Sequence, residues 1–286
     1  MSENALIDFS VLIVAYNNEN SIGACLSSIL RNDLKPHEIL VLDNASTDST
    51  IAKLGEFKEI RLVRSDRNIG FAAGINKLAG LATAEYLFML NPDCELPPTS
   101  FSYLRKFCLT HRGAVAPALI YPDGSIQLSA RRFPDHKNLL FSRKSPLSIL
   151  GFFDLSSAGY LDLRSAAKVP AVAATAFIIS RRIFGNLGGF DERFFLYFED
   201  MDFCKRLNAA GIDIWYVPEL RVKHSLGASS GCLDFRALLH HHRSAHLYFA
   251  KHYPERIFSN LALGLLLICG FLVTAVIKTV KAVWRR

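Results

Sequence analysis

No C-x-x-C pair occurs among the six cysteines, Cys25, Cys94, Cys108, Cys204, Cys232 and Cys269. That absence excludes the familiar zinc-ribbon and dithiol redox signatures. Several of these thiols sit inside apolar runs, where cysteine acts as a small hydrophobe, and the set suits a reduced, cytosolic domain. Met1 to Asp8 lacks a basic stretch followed by an apolar core, so no secretory signal is expected there. There is no internal repeat, and the first apolar run ends in Ala15, Tyr16 and Asn17 without the G-x-G-x-x-G of a dinucleotide site. An acidic excess is missing as well. The 33 Lys plus Arg against 26 Asp plus Glu leave a formal charge of +7, which suits phosphate-bearing ligands or an anionic membrane surface; no nucleic-acid partner is expected. With half of its 286 residues hydrophobic, the chain is long enough to bury a substantial core.

Strand-length apolar runs alternate with helix-period segments: Ser10 to Ala15 then Ser21 to Arg31, Glu38 to Asp43 then Asp48 to Glu56, Ile60 to Arg64 then Ala72 to Leu81. Such alternation predicts βαβ units and a mostly parallel sheet with helices on both faces. Tyr86 to Leu90 is a further strand, closed by Asn91, Pro92 and Asp93. In sheets of this kind the ligand crevice lies beyond the carboxyl ends of the strands, which is where Asp43, Asp93 and the Tyr16 turn fall. Tyr121 to Lys168 reads as loop-dominated and acceptor-facing. Pattern returns with a strand over Ala171 to Ser180, a helix over Glu199 to Ala210 ended by Gly211, and a strand over Ile212 to Val217.

Particular residue types at the crevice suggest chemistry. An Asp at a strand end followed by small polar residues can accept from a base N–H, although Asp43, Asn44, Ser46 and Asp48 also suit a turn and a helix cap. Glycines at 70 and 74 open a helix, where backbone N–H groups can meet an anion or simply start the helix. Glu199, Asp200 and Asp202 fit a helix N-terminus on macrodipole grounds alone. The run His240, His241, His242 points in different directions on a helix and is given no ligand role.

Four segments in order, VLIVAYN (11–17) with LVLDNASTD (40–48), RNIGFAAG (67–74), LNPD (90–93) and GGFDERFFLYFEDMD (188–202), together resemble the family 2 glycosyltransferases of GT-A fold, in particular their bacterial rhamnosyltransferase-like branch. The resemblance spans about the first 230 residues. It implies a GT-A-like, Rossmann-related α/β catalytic domain over 1–230 and a C-terminal helical, membrane-associating segment over 231–286. It places Ala15, Tyr16, Asn17, Asp43, Arg67, Asn68, Gly74 and Asn91 around the nucleotide. Asp93 occupies the last position of a D-x-D metal site whose first acid is here Asn91, and His224 matches a histidine that related enzymes place after the catalytic helix. A lone histidine is also commonly structural. Mg²⁺ or Mn²⁺ would offset the charge of a leaving diphosphate. Asp200 matches the general base of an inverting transfer, and Glu199 would bind acceptor or donor hydroxyls. The implied partners are a dTDP- or UDP-sugar, L-rhamnose first, and a saccharide or lipid-linked acceptor of a bacterial envelope polymer at the cytoplasmic face of the inner or plasma membrane.

Two other readings stand beside this one. A nucleotidyltransferase shares the sheet and the metal but needs a Gly-rich basic loop after the first strand; a non-catalytic nucleotide-sugar-binding membrane scaffold would fit the incomplete D-x-D. The nearly apolar run Ile257 to Ile277, followed by Lys278, Lys281, Trp284, Arg285 and Arg286, is long enough to span a bilayer once, at about 20 residues. It would equally serve as an interfacial helix or a buried one.

Overall fold

The computed structural model describes residues 7–136, 163–225 and 235–284, the last segment with side chains through Gly270. Four parallel strands form one half of the main sheet: β1 (Phe9–Ala15), β2 (Glu38–Asp43), β3 (Ile60–Arg64) and β4 (Tyr86–Leu90), in the order β3-β2-β1-β4. Every residue of β1 is buried, as befits a central strand covered on both faces. Alternate side chains serve two cores: Leu12 and Val14 join one, Phe9, Val11, Ile13 and Ala15 the other. Beneath the sheet, α1 (Ile22–Leu30), α2 (Thr50–Leu54) and α4 (Ser100–Thr110) supply the second core through Cys25, Leu26, Leu54, Phe101 and Leu104. Helix α3 (Phe71–Leu81) covers the opposite face with Ala72, Ile75 and Leu78.

Beyond β4 the sheet becomes mixed. The strand expected over 171–180 is two pieces, β10 (Ala171–Val172) and β11 (Ala176–Ser180), and β11 runs antiparallel to β4. Ala173 N–H leaves the ladder to donate to Ser129 O (2.9 Å), while Asn91 N–H donates to Thr175 O (2.8 Å), so the break serves two neighbouring loops. Next come β6 (Ala114–Ile120), β12 (Ile214–His224) and β5 (Cys94–Glu95). Strand β12 outlasts its expected end at Val217 by passing through a bulge between Val217 and Arg221, which carries it to His224. The stretch read as loop contains the two-residue strands β7 (Ile126–Gln127), β8 (Ala130–Arg131) and β9 (Ala167–Lys168); residues 137–162 lie outside the described residues.

Helices α5 (Arg181–Asn186) and α6 (Glu199–Ala209) pack on the α3 side of the sheet. They are joined there by α7 (Phe235–His252), whose Ala245, Tyr248 and Phe249 are fully buried in the same core. The expected boundary at 230/231 falls outside the described residues, but α7 is packed as part of the catalytic layer. Helix α8 (Ile257–Trp284) folds back along α7: Gly264 lies beside His246 and Gly270 beside His242. One face of α8 buries Leu263, while Ile257, Phe258, Leu261, Leu265, Leu266 and Ile268 are exposed. Among the described residues no helix is long and apolar enough to cross a membrane, so the expected single C-terminal span finds no support.

Gly70 joins the two halves of this layer. Its φ of +86° belongs to the left-handed region, and a Cβ there would run into the carbonyl of Phe195, the group that accepts from Phe71 N–H (2.9 Å). Gly70→Ala is expected to lower stability by about 1–3 kcal/mol from backbone strain alone. Gly23→Ala, in the first turn of α1 with open space at its Cβ, should raise it by about 0.4–1 kcal/mol by reducing the freedom of the unfolded chain. Urea midpoints of the two variants against the parent check both signs.

Candidate active site

The ends of β1 and β2 frame the crevice in which the nucleotide is expected. Asn17 holds a left-handed conformation (φ 56°), with its Oδ1 accepting from Thr47 N–H (2.8 Å) and its own N–H donating to Ser46 Oγ (3.0 Å). Asn18 Oδ1 turns back to accept from Tyr16 N–H (2.8 Å). These bonds tie the β1 and β2 loops into one unit. Asp43 is buried at the end of β2 with Ser46 N–H on Oδ1 (3.3 Å), the bond that the turn reading expects. Tyr16 stands exposed at the rim, and Ala15 closes the floor.

The 67–74 segment behaves differently from the expectation. Asn68 Oδ1 accepts from Asn44 Nδ2 (3.0 Å) and from Gly70 N–H (2.9 Å), while Asn44 Oδ1 accepts from Ile69 N–H (2.9 Å). Asn68 thus braces the loop, and Arg67 is exposed. Gly74 has a packing role: it is buried within α3, and a Cβ would meet Val14 Cγ2 at 2.8 Å and Leu42 Cδ2 at 3.1 Å. It brings helix and sheet together.

Asp93 and His224 meet through a two-residue ladder. Residues Cys94 and His224 are paired across β5 and β12, and Ser225 N–H donates to Asp93 O (3.0 Å). Both side chains are buried, with His224 Nε2 3.3 Å from Asp93 Oδ1. One carboxylate oxygen and one imidazole nitrogen turned toward each other suit a divalent cation that completes its shell with diphosphate oxygens and water. Cys94 Sγ lies within the same cluster. Burial, reinforced by the nearby Asp93 charge, pushes that thiol well above its ordinary range, and it points to Thr175 O (3.8 Å); Mg²⁺ and Mn²⁺ favour the oxygen and imidazole donors beside it. Asn91, partly buried, is anchored by its backbone to Thr175 and Cys94.

The acid pair sits at the start of α6, behind an aromatic segment under backbone strain. Tyr197 and Phe198 are consecutive left-handed residues (φ 68° and 66°), a conformation that costs a non-glycine residue about 1–3 kcal/mol. The fold holds them there: Phe195 stacks on His240 of α7 (4.2 Å, 17°), His241 lies edge-on to both Tyr197 and Phe198, and Ser244 Oγ donates to Leu196 O (2.9 Å). Glu199 is buried, and its Oε2 has no hydrogen-bond partner among the described residues. Burial pushes its carboxyl well above the usual range, and the adjacent Asp200 charge pushes it further. Asp200 is raised too, through burial, against the pull of Arg131 and of the Met201 and Ala174 N–H groups; its Oδ1 accepts from Met201 N–H at 2.7 Å. Desolvation thus sets the direction of the Asp200 shift, against the N–H groups and charge that favour the carboxylate.

Two contributors escaped sequence reasoning. Arg131 acts electrostatically on Asp200, and Gln127 touches His224. Both come from strands of two residues, too short to show a period. Glu199→Gln is expected to stabilise the fold at neutral pH, where the folded chain must hold a proton that the unfolded chain has released. The unfolded chain releases this proton near pH 4.5, before the folded one does, so the gain should fade as pH falls below 4.5. Thermal unfolding at pH 7 and pH 4 tests the sign.

Residues 10–185 match the family model described as "Glycosyl transferase family 2". An N-acetylglucosaminyl-diphospho-decaprenol L-rhamnosyltransferase of Mycobacterium tuberculosis is 30% identical over 84% of this chain and 83% of its own. The rhamnosyltransferase WbbL of Escherichia coli is 25% identical over 87% of this chain and 94% of its own. Among solved structures, GalNAc-T7 with UDP, GalNAc and Mn²⁺ superposes with a TM-score of 0.60 at 18% identity, over 86% of this chain and 48% of that one. S. aureus TarS with UDP-GlcNAc gives 0.55 at 16% identity, over 90% and 71%. The family match covers more than half of the chain and carries the strand ends, the Asp93 turn and the mixed sheet described above. The chain belongs to glycosyl transferase family 2 and is a glycosyltransferase of GT-A-like fold.

Proposed function

We propose that this glycosyltransferase moves a hexose, L-rhamnose first, from a dTDP- or UDP-linked donor to a hydroxyl of a lipid-linked saccharide, with inversion and with Mg²⁺ or Mn²⁺ bound by Asp93 and His224. The sugar and the acceptor class rest on the relatives: the mycobacterial and E. coli proteins are rhamnosyltransferases, and the former is named for a diphospho-decaprenol acceptor. Asp43, Tyr16 and Asn17 would hold the nucleoside. A divalent cation, when bound, neutralises the charge that grows on the departing diphosphate.

The observation that carries the mechanism is Asp200, raised by burial, flanked by Arg131 and set at a helix start behind the aromatic segment. Asp200 accepts the proton of the acceptor hydroxyl as that oxygen bonds to the anomeric carbon, while the bond from that carbon to the diphosphate oxygen breaks on the opposite face. No covalent sugar–protein intermediate is required, so the product is inverted. Glu199, its carboxyl pushed well above the ordinary range by burial, would help bind a hydroxyl of the acceptor or donor. The strained segment 194–198 shields the attack from water.

Asp200→Asn keeps the shape and removes the base. Turnover should fall by about 10²–10⁴ with donor affinity retained, and product NMR should show an inverted anomeric centre. For the parent, activity should decline on the acid side with an apparent pKa above the ordinary aspartate value of 3.8. Near-normal turnover of the variant, or a retained configuration, would overturn the assignment.

Membrane attachment is proposed through the outer face of α8. Its exposed Phe258, Leu261 and Leu265 fall at helical spacing on the side away from buried Leu263, and the chain's excess of positive charge complements anionic headgroups. Removing α8 would also strip Leu263 from the core, so point changes are the cleaner test. Phe258→Ser, Leu261→Ser and Leu265→Ser combined should abolish co-sedimentation with vesicles containing anionic phospholipid and leave UDP binding intact; unchanged sedimentation would refute the attachment.

A further inference from the structure

Gln127 lies in β7, away from every family motif, yet its side chain is almost fully buried and both ends of its amide meet His224. Nε2 donates to the backbone carbonyl of His224 (2.7 Å) and Oε1 faces His224 Nδ1 (2.8 Å). A second carbonyl, Ile120 O, lies 3.4 Å from the same Nε2. Two carbonyl oxygens, which only accept, fix the nitrogen end of the amide on their side. The oxygen end must then meet Nδ1, and it can do so only if Nδ1 carries a hydrogen. In a neutral imidazole the lone pair is consequently on Nε2, the atom 3.3 Å from Asp93 Oδ1.

We propose that Gln127 is the positioning residue of the cation site, fixing His224 in the Nδ1–H tautomer so that the Nε2 lone pair and the Asp93 carboxylate converge on one point. This rests on the reading of Asp93 and His224 as ligands. With the lone pair on Nε2, two buried acceptor atoms face each other at 3.3 Å, an arrangement that a positive centre shared between them would stabilise. The amide also explains why one histidine serves where its carboxylate partner at position 91 is an asparagine: the ring arrives already oriented, and ligand orientation by an outer partner typically sustains 10–100-fold of metal affinity. Gln127 acts through His224 and touches no substrate atom.

The test uses the full-length protein with saturating UDP and Mn²⁺ titrated by EPR. His224→Ala should weaken Mn²⁺ binding, and Gln127→Leu, of similar volume, should weaken it by about 10–100-fold. Imidazole ¹⁵N NMR of the parent without metal, with His224 assigned by its loss in His224→Ala, should report Nδ1–H, and Gln127→Leu should lose that preference. The tautomer measurement needs no variant that risks misfolding at position 127. If His224→Ala leaves Mn²⁺ affinity unchanged, the ligand reading fails. If His224→Ala weakens binding while Gln127→Leu matches the parent, or if the parent shows the Nε2–H form, the ligand reading stands and the role of Gln127 is overturned.

Discussion

Asp202 has no exposed surface, and the whole α3-side layer is arranged so that its carboxylate can stay charged. Burial would raise its pKa, but hydrogen bonds from His252 and Lys251 and the charge of Arg206 hold it below the ordinary value. Arg206 Nε donates to Oδ2 at 2.9 Å, and His252 Nε2 and Lys251 Nζ reach Oδ1 at 2.8 and 2.6 Å. Arg206 also donates to Leu187 O and Gly189 O, and Lys251 reaches on to Asp191 (2.7 Å). One carboxylate thereby fastens the Gly188 turn, the catalytic helix and α7. Such a group is costly to bury but far costlier to leave half-paired, at about 3–5 kcal/mol for the loss of one partner, so the network specifies a single arrangement of the three elements.

Its neighbours in the same helical turn fare differently. Glu199, Asp200 and Asp202 share the helix start, and therefore share whatever the macrodipole offers. Cations surround Asp202, Arg131 favours ionisation of Asp200, and among the described residues Glu199 has an unpartnered oxygen. Local supply of positive charge and N–H groups, more than position on the helix, separates an anchoring acid from a reactive pair. The strained aromatics just upstream belong to the same logic: α7, itself held by Asp202, presses on them through His240, His241 and Ser244.

What the chain disclosed before folding was whatever a period or a strand end can encode. β1 through β4 follow from long apolar runs, and Asp43 and Asp93 fall at carboxyl ends, where a crevice is dictated by sheet geometry. The antiparallel insertion of β11 between β4 and β6 was not legible, because it depends on a three-residue interruption whose amides bond to distant loops. Asn68 and Gly74 share a motif and do different things, since an Asx bridge and a close helix–sheet approach both look like a ligand loop in one dimension. Gln127 left no trace, since a single amide in a two-residue strand has neither periodicity nor charge to announce it.

The irregularity in β12 sets which way the last residues of that strand face. Val217 is opposite Pro117 and Arg221 opposite Ala118, so Pro218, Glu219 and Leu220 are surplus to the register. Three is an odd number, and side chains alternate by two. Before the irregularity the even positions Ile214 and Tyr216 enter the core on the α3 side; after it, Leu220 and Val222 enter the other. His224 inherits that reversed phase and comes beside Cys94. Counted straight through from Ile214, alternation would turn the imidazole toward the α3 side and present Lys223 in its place. An apparently loose stretch around a proline is thus a parity switch, which lets one strand feed the α3-side core with its first half and the Asp93 turn with its last.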